Sequence, residues 1–282
     1  MARRYIHSEP TSRLAIWARR MAGFAFLASL LAIVIVRSGL LEIRPALATF
    51  AGALAIALVA LLLALAALVV IWMEGLAGLG AALTAIAVSL VLLAYPGYFA
   101  IKAYRLPWIH DITTDPIDPP RYEALARLRV REANPITYAG LYAADQQRTA
   151  YPDVGPLGTN ATAQAAYDAA LAVVNKRRWR VVDARAPQSG RREGRIEAVA
   201  RTPIMGFRDD VVIRVRAESD GARIDARSSS RYGSFDFGTN AARVRGLMND
   251  IEDAIRAQKP ERPPPQPPAK KSAPDKKDQR KR

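Results

Sequence analysis

Three stretches of the chain carry almost no polar residue. The first, 21–36, is bracketed by Arg20 and Arg37. The second runs from Pro45 to Met73 and the third from Gly75 to Ile101, both without a charge. Crossing a hydrocarbon core of about 30 Å takes about 20 helical residues. The second and third stretches exceed that length, and arginine stems at both ends extend the reach of the first. The pattern predicts three transmembrane helices, at about 17–37, 45–73 and 75–101. Only Glu74 separates the last two, so they form a tight hairpin. Ala53, Ala57, Ala60, Ala64, Gly78, Ala81 and Ala85 let helices approach closely, and Pro96 predicts a kink late in the third helix. Trp17 and Trp72 map to one membrane interface, and Tyr98, Tyr104 and Trp108 to the other.

Beyond residue 105 the period shortens. Asp115-Pro116 and Asp118-Pro119-Pro120 force extended and turn geometry, which reads as a stiff linker from membrane to domain. Tyr151 to Leu157 is a second rigid loop. Residues 162–178 read as an alanine-rich helix with Ala166, Ala169, Ala170, Val173 and Val174 on one face. Strands follow at 179–184, 194–202, 209–219 and 222–231, the last two joined by a hairpin turn at Ser219-Asp220-Gly221. A final helix, about 239–257, lines up Val244, Leu247, Met248, Ile251 and Ile255. The order helix, four strands, helix predicts an α+β domain: a small antiparallel sheet with its apolar face covered by two helices. The domain plan is a membrane unit at 1–105, a soluble α+β domain at 106–258 and a disordered Pro-rich and Lys/Arg-rich tail at 259–282.

Alternation also defines the other sheet face. Arg223, Asp225, Arg227, Ser229 and Arg231 point one way, beside Arg195, Glu197, Arg201, Asp210, Arg214, Arg216 and Glu218 of neighbouring strands. One reading is a solvated face laced with cross-strand ion pairs. The other is an anion-binding surface, because arginine forks match carboxylate and phosphate oxygens. Gly233, Gly238 and Asn240 mark turns into the last helix, whose N-terminal amides attract anions. Arg214, Arg227, Arg231, Asn240 and Arg243 are the candidate anion contacts. Asp236 belongs to the set as well, although it can instead cap the helix, as can Thr239 or Asn240.

Charge qualifies this picture. The net charge is +15, made of +4 in residues 1–100 (7 basic, 3 acidic), +5 in 101–258 (25 and 20) and +6 in 259–282 (9 and 3). The densest share is the tail, where KKSAPDKKDQRKR (270–282) follows the stiff PPPQPP run. That tail is solvated, or it binds anionic lipid heads or another envelope polyanion. Nucleic acid is not expected, since the folded part lacks a basic surface interleaved with exposed aromatics. With no cysteine and only His7 and His110, no thiolate nucleophile, histidine-based triad, metal centre or cofactor is expected. Asp209-Asp210 cannot readily share a reacting atom, because adjacent strand residues face opposite ways. The enzyme alternative is a hydrolase using Asp209, Asp210 or Asp236 with Arg227 or Arg231.

Five arginines precede the first span, and Arg37, Arg44, Lys102 and Arg105 lie on the opposite side. The positive-inside rule then places the domain outside the cytoplasm, in the periplasm of a bacterial inner membrane. The expected partners are the lipid bilayer and an envelope protein.

From about residue 110 to 256 the chain resembles domain-of-unknown-function family 1499. The stretches that carry the likeness are DPIDPP from Asp115, YPDVGPL from Tyr151, Glu197-Ala198, FRDDV from Phe207 with Arg214, and DARSSSRYGSFDFGTNAARVR from Asp225 to Arg245. The resemblance implies one structural unit behind N-terminal membrane helices, and no reaction or ligand. It also implies that Tyr151 and Asp153 meet the 225–245 block near Arg231, which adds both to the candidate anion site. The expected function is a non-catalytic, envelope-associated binding or structural module. The alternatives are the hydrolase and a cytoplasmic-facing module that tethers anionic lipid or nucleic acid.

Overall fold

A computed structural model of the chain describes residues 10–39, 43–188 and 193–258. Arg3, Arg4, His7 and the 259–282 tail, with the polyanion contact expected of it, lie outside the described residues. Three helices come first: α1 (Arg13–Ser38), α2 (Ile43–Glu74) and α3 (Leu79–Arg105), each long and apolar enough to cross a membrane. Ser12 starts α1 by accepting a hydrogen bond from the Ala15 amide at 3.4 Å. The Ser12 amide donates to the Ala77 carbonyl at 2.9 Å, which ties the N-terminus to the α2–α3 turn. The α1–α2 connection and the end of α3 therefore lie together at the opposite end of the bundle.

The helices meet along small residues. Ala18 and Ala22 of α1, Ala60 and Ala64 of α2 and Ala85 of α3 form one buried cluster. Phe24, Leu27, Leu31, Leu58, Leu62 and Val69 point outward and are exposed. Large apolar side chains outside and alanine inside is the arrangement a lipid solvent favours, since lipid is as apolar as leucine and close backbone approach holds the bundle. Ala53 and Ala57 are buried too, and Gly78 is the N-cap of α3. Pro96 lies inside α3, which runs on to Arg105.

The following domain comprises β1 (Asp111–Thr113), α4 (Ala124–Leu128), α5 (Gly140–Ala150), β2 (Leu157–Thr159), α6 (Ala163–Lys176), β3 (Arg180–Arg185), β4 (Glu193–Arg201), β5 (Arg208–Glu218), β6 (Gly221–Ser230) and α7 (Thr239–Gln258). The sheet is antiparallel in the order β1-β6-β5-β4-β3, and β2 pairs with β6 beyond the end of β1. Ile196, Val211, Ile213, Val215 and Ile224 pack against Ala170 and Val174 of α6 and Val244, Leu247 and Ile251 of α7. The α+β class and the four main strands agree with the pattern of alternation. The pattern does not predict the two short edge strands or α4, because three- and five-residue elements show too little period to be seen, nor the eleven-residue α5, whose buried positions are only Ala143, Ala144 and Gln147.

The larger correction concerns the charged face. It is not solvated. Glu197, Asp210 and Asp225 are fully buried, and Arg214, Arg227 and Arg231 are at most 8% exposed. The cover is the segment 114–138, whose Pro-rich first part, to residue 125, reads as a linker in the sequence, and which folds back over the sheet as a strap. Tyr122 and Leu125 of the strap pack on Val199 and Val212, which share the charged face.

Candidate functional site

The strap is held by hydrogen bonds and ion pairs that cross from it to the sheet, some of them made by Arg227 of β6, itself anchored on Asp111 of the neighbouring β1. Arg227 grips Asp111 with two bonds, Nε to Oδ1 at 2.9 Å and Nη2 to Oδ2 at 2.6 Å. It also donates to the carbonyls of Pro120 and Ile136. Its guanidinium lies 4.7 Å from the Tyr122 ring centroid and 5.6 Å from that of Tyr138. The flat, delocalised cation suits this stacked, bidentate position. Arg231 donates to Asp210 Oδ1 at 2.9 and 2.7 Å, and Arg129 of the strap reaches Oδ2 of the same carboxylate at 2.7 Å. Glu197 accepts from the amides of Glu123, Ala124 and Leu125 at 2.8, 3.1 and 2.7 Å. A strand carboxylate thus caps the first turn of α4, where N–H groups have no helical partner. Arg214 bonds Asp118 and Asp225, the latter shared with Arg216 and Arg223. Arg223 also holds Asp115 at 3.0 Å.

The other predicted residues lie elsewhere. Asp209 faces the helices, opposite to Asp210 as alternation requires, and pairs with Arg243 at 2.5 Å. Arg243 and Asn240 share Ser228, and Asn240 also donates to Ser230 at 2.9 Å. Asp236 accepts from the Gly238 and Asn240 amides at 2.9 and 2.8 Å. The place expected for an anion at the start of α7 is therefore filled by the chain's own carboxylate. Burial pushes the Asp209 and Asp236 carboxyls above the usual carboxylate range. Tyr151 and Asp153 meet the 225–245 block through Arg245, which bonds both oxygens of Asp153 and lies 5.2 Å from the Tyr151 ring centroid. Burial, aided by the Asp236 charge, pushes the Tyr151 phenol up to about 12. The eight candidates thus occupy separate places: Arg214, Arg227 and Arg231 under the strap, Asp236, Asn240 and Arg243 at the foot of α7, and Tyr151 with Asp153 at Arg245. They do not line one pocket. Among the described residues no group of three or more His, Cys, Asp or Glu is arranged to hold a metal.

A family model described as "Protein of unknown function (DUF1499)" matches residues 111–251, half of the 282 residues. This chain belongs to the DUF1499 family. No curated protein matches it. The matched region begins with β1 and ends within α7, so it takes in the strap, the whole sheet, α6 and the first part of α7.

One feature of this DUF1499 domain was missed in the sequence. A recess of about 220 Å³ at one end of the sheet is lined by Arg177, Arg178, Arg180, Arg201, Arg208 and Arg231, with Trp179 and Val199. Among the described residues no carboxylate lines it. Arg177 is paired with Asp250 and Arg231 with Asp210. Among the described residues the side chains of Arg178, Arg180 and Arg208 have no acidic partner, and Arg201 reaches only the Arg37 carbonyl at 3.2 Å. Arg201 and Arg208 are directly opposite in the β4–β5 register, a like-charge pairing that destabilises a sheet. Burial, with the charges of Arg201, Arg231 and Arg180, pulls Arg208 below the usual arginine range. The only available signal was the Arg201–Arg208 pairing across the β4–β5 loop, and strand register had to be known to read it.

Proposed function

We propose that this protein is a membrane-anchored module of a bacterial inner membrane, whose DUF1499 domain lies outside the cytoplasm and binds or scaffolds rather than catalyses. The observation that carries this reading is the way the domain grips the bundle. Arg37, at the end of α1, donates to the carbonyls of Pro203 and Ile204 at 2.6 and 3.0 Å. Met205, from the same β4–β5 loop, is buried with Val36 of α1 and Ala46 of α2. On α3, Phe99 meets Phe237 edge to face at 4.9 Å between ring centroids. The domain is thus seated on the membrane end of the helices rather than hung from a linker. A non-catalytic role is supported by the carboxylates offered for a hydrolase. Asp210 is buried between Arg129 and Arg231, Asp209 is paired with Arg243, and Asp236 caps α7. The cationic end of the sheet and the bilayer beside it make lipid and envelope partners the natural ones. The positive-inside balance around α1 supports the orientation. Paired phosphatase and fluorescent-protein fusions at Gln258 test it: phosphatase activity is expected, whereas fluorescence alone would place the domain in the cytoplasm and discard the envelope reading.

A further inference from the structure

The arginine recess lies at the membrane-proximal end of the sheet. The Arg208 guanidinium is packed against Gly39, the residue that ends α1, where any side chain would collide with it. Gly39 also has a φ of 68°, so its lack of a side chain meets two needs at once. Arg201 reaches the Arg37 carbonyl. A second recess, about 370 Å³, adjoins the first and shares Arg208 and Arg231 with it. Its apolar lining comes from Val36 and Ile43 of the bundle and from Leu128, Val130 and Phe207 of the domain. Arg44 and Glu132 are its other charged residues. A cationic chamber thus opens beside a partly apolar one, at the level where helices α1 and α2 meet the domain.

Unpaired arginines crowded around a space without a carboxylate repel one another, and an oxyanion relieves that repulsion. Guanidinium forks match phosphate oxygens, and basic pockets beside membrane helices suit lipid head groups. The apolar chamber is what distinguishes an amphiphile from a soluble phosphate. We propose that the phosphate of an anionic phospholipid sits among Arg180, Arg201 and Arg208, with its glycerol and first acyl carbons against Ile43, Val130 and Phe207. The proposal rests on the membrane-anchored reading, though not on which side of the membrane the domain faces.

The test uses the full-length protein in detergent, titrated with phosphatidylglycerol or phosphatidylcholine and followed by native mass spectrometry. Glycerol 1-phosphate is added as a soluble competitor. Wild type should retain phosphatidylglycerol in preference to phosphatidylcholine. Arg201→Gln with Arg208→Gln should weaken phosphatidylglycerol by about tenfold or more, at roughly 1 kcal/mol per basic residue. Arg256→Gln, whose partner Glu252 is on its own helix, should change nothing. Phe207→Ser should weaken the lipid and leave glycerol 1-phosphate untouched. Should the double variant fail to fold, Arg180→Gln, exposed at the start of β3, is read instead. Undiminished phosphatidylglycerol binding in a folded arginine variant overturns the proposal. So does glycerol 1-phosphate binding as tightly as the lipid, which would make the recess a site for soluble phosphoesters. Detergent-solubilised protein has no sidedness, so a fusion result placing residue 258 in the cytoplasm would sink the envelope reading and leave this outcome standing.

Discussion

At the scale of single residues, Arg227 shows what the charged face is for. Its guanidinium is 2% exposed and bonded to Asp111, 116 residues away in the chain, between two tyrosine rings. Bringing two charges out of water costs several kcal/mol, and only complete pairing offsets it. Removing one partner leaves the other buried and uncompensated. Arg227→Ala is therefore expected to cost about 3–5 kcal/mol, measured by chemical unfolding of the detergent-solubilised protein. Arg227→Lys should recover little, because an ammonium can neither bind Asp111 bidentately nor stack between Tyr122 and Tyr138. A near-wild-type midpoint for Arg227→Lys would mean that charge alone, and not the fork, holds the strap.

At the scale of elements, the strap is the decisive one. It has little period of its own and a five-residue helix at its centre, and its order comes from what it touches. Glu197 caps α4, while Asp115 and Asp118 meet the arginines of β5 and β6. Burial works against the Asp115 carboxylate, but the Asp118 and Ile117 amides with Arg223 and Arg214 outweigh it and hold the carboxyl below its usual range. A depressed carboxyl stabilises the fold above its unfolded pKa, about 4, and that contribution is lost as pH falls through the lower folded value. Wild type should thus lose stability from about pH 4 downward, and Asp115→Asn should show a shallower acid limb in thermal unfolding. Asp209 and Asp236, with raised carboxyls, act in the opposite sense: they favour the acidic side and lose that advantage as pH rises. An acid limb unchanged in Asp115→Asn would assign the loss to other carboxylates.

At the scale of the whole molecule, domain and bundle meet at the β4–β5 loop, the ends of α1 and α3 and the aromatic pair Phe99–Phe237. Gly206 lets the loop pass Arg37, because its φ is 70° and a Cβ there would stand 2.8 Å from Arg37 Cγ. Arg37→Ala removes the two bonds to the loop carbonyls without touching the domain core. Hydrogen exchange at residues 202–207 should rise while the sheet's own protection stays unchanged. Loss of protection throughout β4 and β5 would mean instead that the bundle is part of the domain's own stability.

The sequence by itself determined the elements whose signals are local and repeated. Uncharged runs of helical length marked the three spans, alternation marked β3 to β6, and an apolar stripe marked α7. The opposed directions of Asp209 and Asp210 followed from the two-residue period of a strand. Tertiary structure alone decided where each charge ended up. Whether Arg227 faces water or Asp111 depends on a segment more than a hundred residues earlier folding back across the sheet, and nothing in either stretch encodes that distance. The same is true of the arginine recess. Arg180, Arg201, Arg208 and Arg231 are scattered over 52 positions and converge only because three antiparallel pairings bring their strand ends together beside α1. Periodicity reports which way a side chain points, and pairing between distant segments sets what it points at.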